Sequence, residues 1–214
     1  MITIKSDYEL SLMRMAGRIV YDTHQYLKPY IKPGITTGEL DKLAHDYIIS
    51  RDATPSCLGY EGYPASICIS VNEEVVHGIP GKRKLKNGDI VTLDICACYK
   101  GYHGDSAWSY RVGTVSKEKE YLLTHTEKAL YEGLSKVKDG IHLGDVSNAI
   151  EEYAKTKITD KEIEAYYKDE AIGDMEINHI LITSDVKDGA TTDEKKKAEE
   201  AAKKYLTMEK RVLE

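Results

Sequence analysis

Phenylalanine is absent from this chain of 214 residues, and there is one tryptophan; sixteen tyrosines carry nearly all the aromatic content. A natural chain of this size normally has several Phe. Nothing physical in the sequence accounts for their absence, and an engineered or recoded sequence is one reading of it. Long apolar runs are also missing. None approaches the roughly 20 residues of a membrane span, and the opening MITIKSDYE has no apolar signal core. No membrane partner and a cytoplasmic address are the expectations. An excess of positive charge is lacking too: the formal net charge is -6, which gives no reason to expect nucleic acid. Cysteine is sparse, at Cys57, Cys68, Cys96 and Cys98. Cys96 and Cys98 stand two apart on one extended run, a poor geometry for a disulfide. Buried thiols are expected there ahead of a zinc site.

What is present describes an ordinary soluble globular chain, with 41% hydrophobic and 31% charged residues. The length suits one sizeable core plus a small appendage. Composition shifts near Lys155. The last 60 residues carry 27 charged side chains, against 39 in the first 154, so the tail is nearly twice as charge-dense. Both parts have a net charge of -3, which reads as solvated surface around a small core. Two domains follow, 1–154 and 155–214.

The stretch IVTLDICACYKGYHGDSAWSYRV is the centre of the chain. Residues 90–99 are β-branched and apolar, Lys100-Gly101 is a turn signal, and residues 102–112 resume an extended pattern. That is a β-hairpin. A two-residue turn pairs Tyr99 with Tyr102 and Cys96 with Asp105. Asp94 then lies diagonal to Asp105 on the same face, at roughly 7–8 Å. Two carboxylates among apolar neighbours repel each other and resist burial. Divalent metals between them would relieve both costs. From the hairpin alone, one exposed and one hydrogen-bonded Asp on a solvated face reads equally well.

Ser6 with Glu9 and Thr36 with Glu39 are capping boxes. They open helices over residues 6–28, stopped by Pro29, and 37–51. Both are expected outside a sheet, without a functional role. Residues 67–71 form a strand, 72–74 a turn and 75–77 a second strand, which leaves His77 at a strand end beside a loop. Alone, His77 reads first as a histidine bonded to backbone. Residues 82–86 are basic and solvated. Helices are expected over 117–138, closed by Gly140, and 144–154, with His142 at the surface or capping. In the tail, a short helix (160–169), a strand (175–183) and a helix (192–208) are expected.

CLGYEGYPASICISVNEEVVHGIPG followed by NGDIVTLDICACYKGYHGDSAWSY resembles the first half of a bacterial type I methionine aminopeptidase. The preceding YLKPYIKPGITTGELDKLAHDYI fits as well, so the resemblance runs over residues 3–154. It implies an αβ fold, one half of the "pita-bread" architecture, with an antiparallel curved sheet and external helices. It also implies two divalent metal ions (Co, Mn, Fe or Zn), with Asp94 and Asp105 as ligands. His77 matches the histidine that contacts the substrate amide. Cys57, Tyr60, Tyr63 and Cys68 match the pocket for the N-terminal methionine of a peptide or nascent chain. Glu61 stands where some relatives carry His.

The second half of that family supplies a His in a GHGIG-like segment and two Glu, and no such segment exists here. An impaired metal site is therefore expected; His179 and Glu176 could be recruited to it, though nothing in their spacing points to that. The missing half predicts exposed sheet surface. Either a homodimer through that face or the strand 175–183 would cover it. Residues 158–204 are similar to the opening of a parvulin-type peptidyl-prolyl isomerase, in which His179 matches a strand histidine. Their union reads as a truncated chimera. The expected function is metal-dependent removal of N-terminal Met. A non-catalytic binding module and an isomerase-like foldase fragment are the alternatives.

Overall fold

A computed structural model describes residues 4–157. The expected tail elements, with His179 and Glu176, lie outside these residues. The described part forms one compact unit.

Both capping boxes form. Ser6 and Glu9 open α1 (Asp7–Leu27), and Thr36 and Glu39 open α2 (Thr37–Ser50). In each, the hydroxyl takes an orphan N–H of the first turn while the Glu carboxylate takes the N–H of the cap residue. A 3-10 turn containing Pro29 ends α1. The helices bury one stripe each: Ala16, Ile19, Val20 and Leu27 from α1, and Leu40, Ala44 and Ile48 from α2.

The stripes cover one face of a four-stranded antiparallel sheet. Its centre is β3 (Ile90–Tyr99), paired along its full length with β4 (Tyr102–Arg111). The hairpin register is the one the turn implies, with Tyr99 opposite Tyr102 and Cys96 opposite Asp105. Burial along β3 alternates strictly. Val91, Leu93, Ile95 and Ala97 are fully buried under the helices, while Thr92, Asp94, Cys96 and Cys98 face the other way and are half-buried. Each buried Leu or Ile contributes about 1.5–3 kcal/mol of transfer energy. A register slip of one residue would put the acids in the core, so this alternation holds the site face in place.

The other edge of β3 is shared by two short strands. β1 (Thr54–Pro55) pairs with Ala97 and Cys98, and β2 (Cys68–Val71) pairs with residues 91–94. The chain thus leaves the sheet after β1, makes a loop, and returns to the same edge at Cys68. Helix α1 approaches β4 closely at Gly104, where a Cβ would lie 2.5 Å from the Ala16 carbonyl carbon. Only a glycine fits there.

After β4, α3 (Lys117–Leu134) and α4 (Leu143–Lys155) pack on each other. The Cβ-free surface of Gly133 accommodates Ile150. Helix α3 ends four residues before the expected Lys138, because turns begin at Ser135 and Gly140 falls in a later one. His142 caps α4 at the surface, its N–H donating to the Asp145 carboxylate at 2.9 Å.

Two expectations are corrected. Residues 75–77 are not a strand: Val76 (φ 37°) and His77 (φ 51°) sit in the left-handed region, and the chain turns there. Gly78 then lies against β2, its carbonyl accepting the Ile69 N–H at 2.9 Å, so close to the Ile69 carbonyl that no Cβ fits. The basic run 82–86 is solvated only in its charged residues. Leu85 is buried in the core, and its backbone bonds to Gly34 and Ile35.

Candidate active site

The face of the sheet turned away from α1 and α2 carries Cys68, Asp94, Cys96 and Asp105. Asp94 pairs with Cys68 on one side and Ala107 on the other, while Cys96 pairs with Asp105. The two acids are therefore diagonal neighbours on one face. Their coupling shows in the titration of Asp94. Its carboxyl is pushed above the usual range, first by burial and then by the charge and close carboxylate of Asp105, while His77 pulls the other way. His77 is itself exposed. In place of the expected strand end, the backbone at Val76 and His77 is left-handed, unusual for a β-branched residue, and His77 lies near enough for its charge to act on Asp94.

The thiols gather beside the acids. Ser56 N–H donates to the Cys96 carbonyl at 2.9 Å, which sets Cys57 next to Cys96 across the β1–β3 edge. The Cys57 thiol is pushed up to about 12, chiefly by burial, with Cys68, Cys96 and Asp94 all adding to the shift. Burial also raises Cys96, against a hydrogen bond with Ser56. The Tyr63 phenol is raised by burial and by its hydrogen bond with Cys68. Its hydroxyl donates to the Gly78 carbonyl at 3.0 Å, which ties this wall to the His77 turn. All four cysteines are free; Cys68 is buried, whereas Cys96 and Cys98, expected to be buried, are half-exposed on the site face like Cys57. Cys57, Tyr63 and Cys68 thus come together, whereas Tyr60 does not join them and stands 68% exposed on a turn whose Glu61 is left-handed.

Residues on α2 that carried no sequence signal for function hold this wall. Asp41 Oδ1 accepts the backbone N–H groups of Ser66 (2.9 Å) and Ile67 (3.0 Å), and His45 Nδ1 meets the Ser66 hydroxyl at 2.9 Å. Burial raises the Asp41 carboxyl despite the two donors. On the opposite face, His24 of α1 reaches the Tyr110 hydroxyl (3.0 Å) and the Ser106 carbonyl (3.1 Å), which braces β4 next to Asp105. Only an i, i+4 or i, i+3 partner could have flagged such residues, and their partners lie far away in sequence.

The profile of metallopeptidase family M24 matches residues 11–198. The chain belongs to metallopeptidase family M24. Among its relatives, methionine aminopeptidase 1 of Bacillus subtilis is 53% identical over 157 residues, covering 73% of this chain and 63% of that protein. The methionine aminopeptidase of Escherichia coli K12 is 42% identical over 158 residues, covering 73% and 60%. The crystal structure of methionine aminopeptidase from Rickettsia prowazekii superposes with a TM-score of 0.71 at 39% identity, again over 73% of this chain and 63% of the other. This M24 chain therefore spans about three-fifths of the length of the curated relatives it matches. Xaa-Pro dipeptidase from Bacillus anthracis shares the fold at 22% identity. The M24 match continues through the stretch read as parvulin-like, and that second resemblance gains no support.

M24 membership implies a divalent metal. The residues present fit one in kind: two mutually repelling carboxylates on one face are hard oxygen donors. They are few in number. Among the described residues, no group of three or more His, Cys, Asp or Glu is placed to hold a metal ion. The described residues also contain no helix long and apolar enough to cross a membrane.

Proposed function

We propose that this M24 chain is a methionine aminopeptidase-like hydrolase acting in the cytoplasm on peptide N-termini, with impaired turnover. The observation that carries the reading is the placement of Asp94 and Asp105 as diagonal neighbours on one sheet face, where the charge of Asp105 helps to raise the Asp94 carboxyl. Asp94 and Asp105 would hold a divalent cation of the Co, Mn, Fe or Zn class, which supplies Lewis acidity and an acidified water when bound. His77, standing at the rim of the acid pair, would donate to the amide oxygen of the first peptide bond. Cys57, Tyr63 and Cys68 would wall the pocket for the methionine side chain. Cys57 and Tyr63, both raised further above neutrality by burial, stay uncharged at pH 7, which suits a soft, uncharged thioether. A second copy of the chain is the proposed partner for the open sheet.

The short donor set favours a second reading, a non-catalytic binding module that keeps the pocket and lacks turnover. Calorimetric titration with Mn²⁺ and a Met-Ala-Ser release assay separate the two. The hydrolase reading expects weak Mn²⁺ binding lost in Asp94→Ala, together with slow, Mn²⁺-dependent Met release lost in Asp105→Ala. Binding without any release favours the module. Binding heat unchanged in Asp94→Ala sinks both metal assignments. An isomerase role for His179 rests on the parvulin-like text alone. Accelerated prolyl isomerisation of a tetrapeptide, lost in His179→Ala, is the result it needs.

A further inference from the structure

His77 stands between two anchors of its loop. Before it, the Glu74 carboxylate accepts the Val71 N–H at 2.7 Å and the Arg83 guanidinium at 2.6 Å. After it, Gly78 is held by three hydrogen bonds. Its carbonyl accepts the Ile69 N–H at 2.9 Å and the Tyr63 hydroxyl at 3.0 Å, and its N–H donates to the Ser70 hydroxyl at 3.2 Å. Ile69 and Ser70 belong to β2, so the sheet fixes those two bonds. The third comes from a side chain with a second task. The Tyr63 ring stands with Cys57 and Cys68, both of which act on its phenol. It is the part of the wall on which a methionine side chain would pack.

We infer that Tyr63 is a positioning residue whose hydroxyl couples filling of the methionine pocket to the placement of His77. The hydroxyl carries one proton and lies near two carbonyls, Gly78 at 3.0 Å and Ile67 at 3.3 Å. It donates in full to one of them at a time. Ile67 is itself pinned, since Asp41 accepts its N–H at 3.0 Å. Gly78 is the acceptor that belongs to the His77 loop. A thioether packed on the ring face narrows the swing of the phenol and so fixes which carbonyl takes the proton. Gly78 follows that bond, and His77 is the residue beside it. The choice between two acceptors is the two-state element that coupling between sites requires, and a ligand biases it by packing better on one state than on the other. Ring and hydroxyl have separate tasks here, the one in the wall and the other in the link. This role rests on the pocket proposed above and needs neither metal nor turnover.

Nuclear magnetic resonance of the metal-free full chain, isotope-labelled at the histidine rings, tests it. The probe is L-methioninol, which has the thioether and the free amine but no amide to cleave. His77→Gln assigns the His77 ring signal, and line broadening of the methioninol methyl group reports binding independently. In the parent, the His77 signal should shift as methioninol saturates. Tyr63→Phe keeps the ring and loses only the hydroxyl, so methioninol should still bind while the His77 shift is lost. Ser70→Ala removes a different partner of Gly78 and leaves the phenol in place, so it should keep the shift. Methioninol that binds the parent without moving His77 overturns the inference. So does a shift that survives in Tyr63→Phe, or one that Ser70→Ala abolishes as well, which would mean that any loosening of Gly78 suffices. Loss of binding itself in Tyr63→Phe also overturns it, because the hydroxyl would then serve the pocket and not the link. Methioninol that fails to bind the parent overturns the pocket reading, and this role with it.

Discussion

Replacing Gly104 by Ala tests whether the helix layer is held at the distance the site requires. The added methyl would sit 2.5 Å from the carbonyl carbon of Ala16, 2.6 Å from its oxygen and 2.6 Å from the Gly17 nitrogen. All three are helix backbone, so no rotamer change relieves the clash. To reach an ordinary contact, α1 must lift by about 1 Å. A gap of that size forfeits a quarter to a half of each dispersion contact it opens, and Ile19, Val20 and Leu27 all lie on the lifted stripe. Overpacking usually costs about 1–3 kcal/mol, and a backbone-to-backbone clash belongs at the upper end, about 3. For a chain of this size each kcal/mol moves Tm by about 2–4 °C, so a drop of about 6–12 °C is expected in a thermal melt. Asp105 follows Gly104, so calorimetric Mn²⁺ binding should weaken with it. The residue across the same contact gives the opposite sign. A Cβ on Gly17 meets nothing within 4 Å, and Ala is preferred over Gly in a helix by about 1 kcal/mol, so Gly17→Ala should raise Tm by about 2–4 °C. If Gly104→Ala melts within 2 °C of the parent, the close helix–strand approach is wrong.

Other outcomes follow from side chains that the structure puts to use. Asp41→Ala strands two backbone N–H donors at the entrance to β2 and should cost about 2–4 kcal/mol in urea unfolding; Asp41→Asn, which keeps an acceptor, should cost less than about 1 kcal/mol. Equal losses in the two variants would mean that the hydrogen bonds are not what matters. Burial lowers the pKa of His24, against its bond to the Ser106 carbonyl. The unfolded chain therefore takes up a proton first as pH falls below about 6.5. Stability from this group is fully present above that pH and declines toward the folded pKa, by at most about 1.4 kcal/mol per pH unit. His24→Gln should flatten that part of the stability profile, and an unchanged slope would contradict it.

The site was partly legible before any coordinates because its key relation is local. Asp94, Cys96 and Asp105 share a face by virtue of a period of two and a two-residue turn, and the twelve residues from Asp94 to Asp105 suffice to see it. The same holds for the capping boxes, whose partners are three residues apart. The composition around His77 favours a strand, whereas Val76 and His77 are left-handed and Gly78 returns to bond with Ile69, a contact between residues nine apart. The thiol wall was available only from resemblance: nothing in the text of residues 54–68 says that the chain leaves and rejoins the same edge of β3. Tyr60, carried along by that resemblance, stands apart from the wall.

The sequence by itself determined the elements whose causes act over a few residues: caps, the alternation of β3, the hairpin turn, and with them the face shared by the two acids. Tertiary structure alone decided what meets across long separations. That includes Asp41 against Ser66 and Ile67, His24 against Ser106 and Tyr110, and the helix that only a glycine lets lie on β4. Period and capping are written in neighbouring residues, whereas a contact between distant ones depends on how whole layers pack, and no short window of sequence records that.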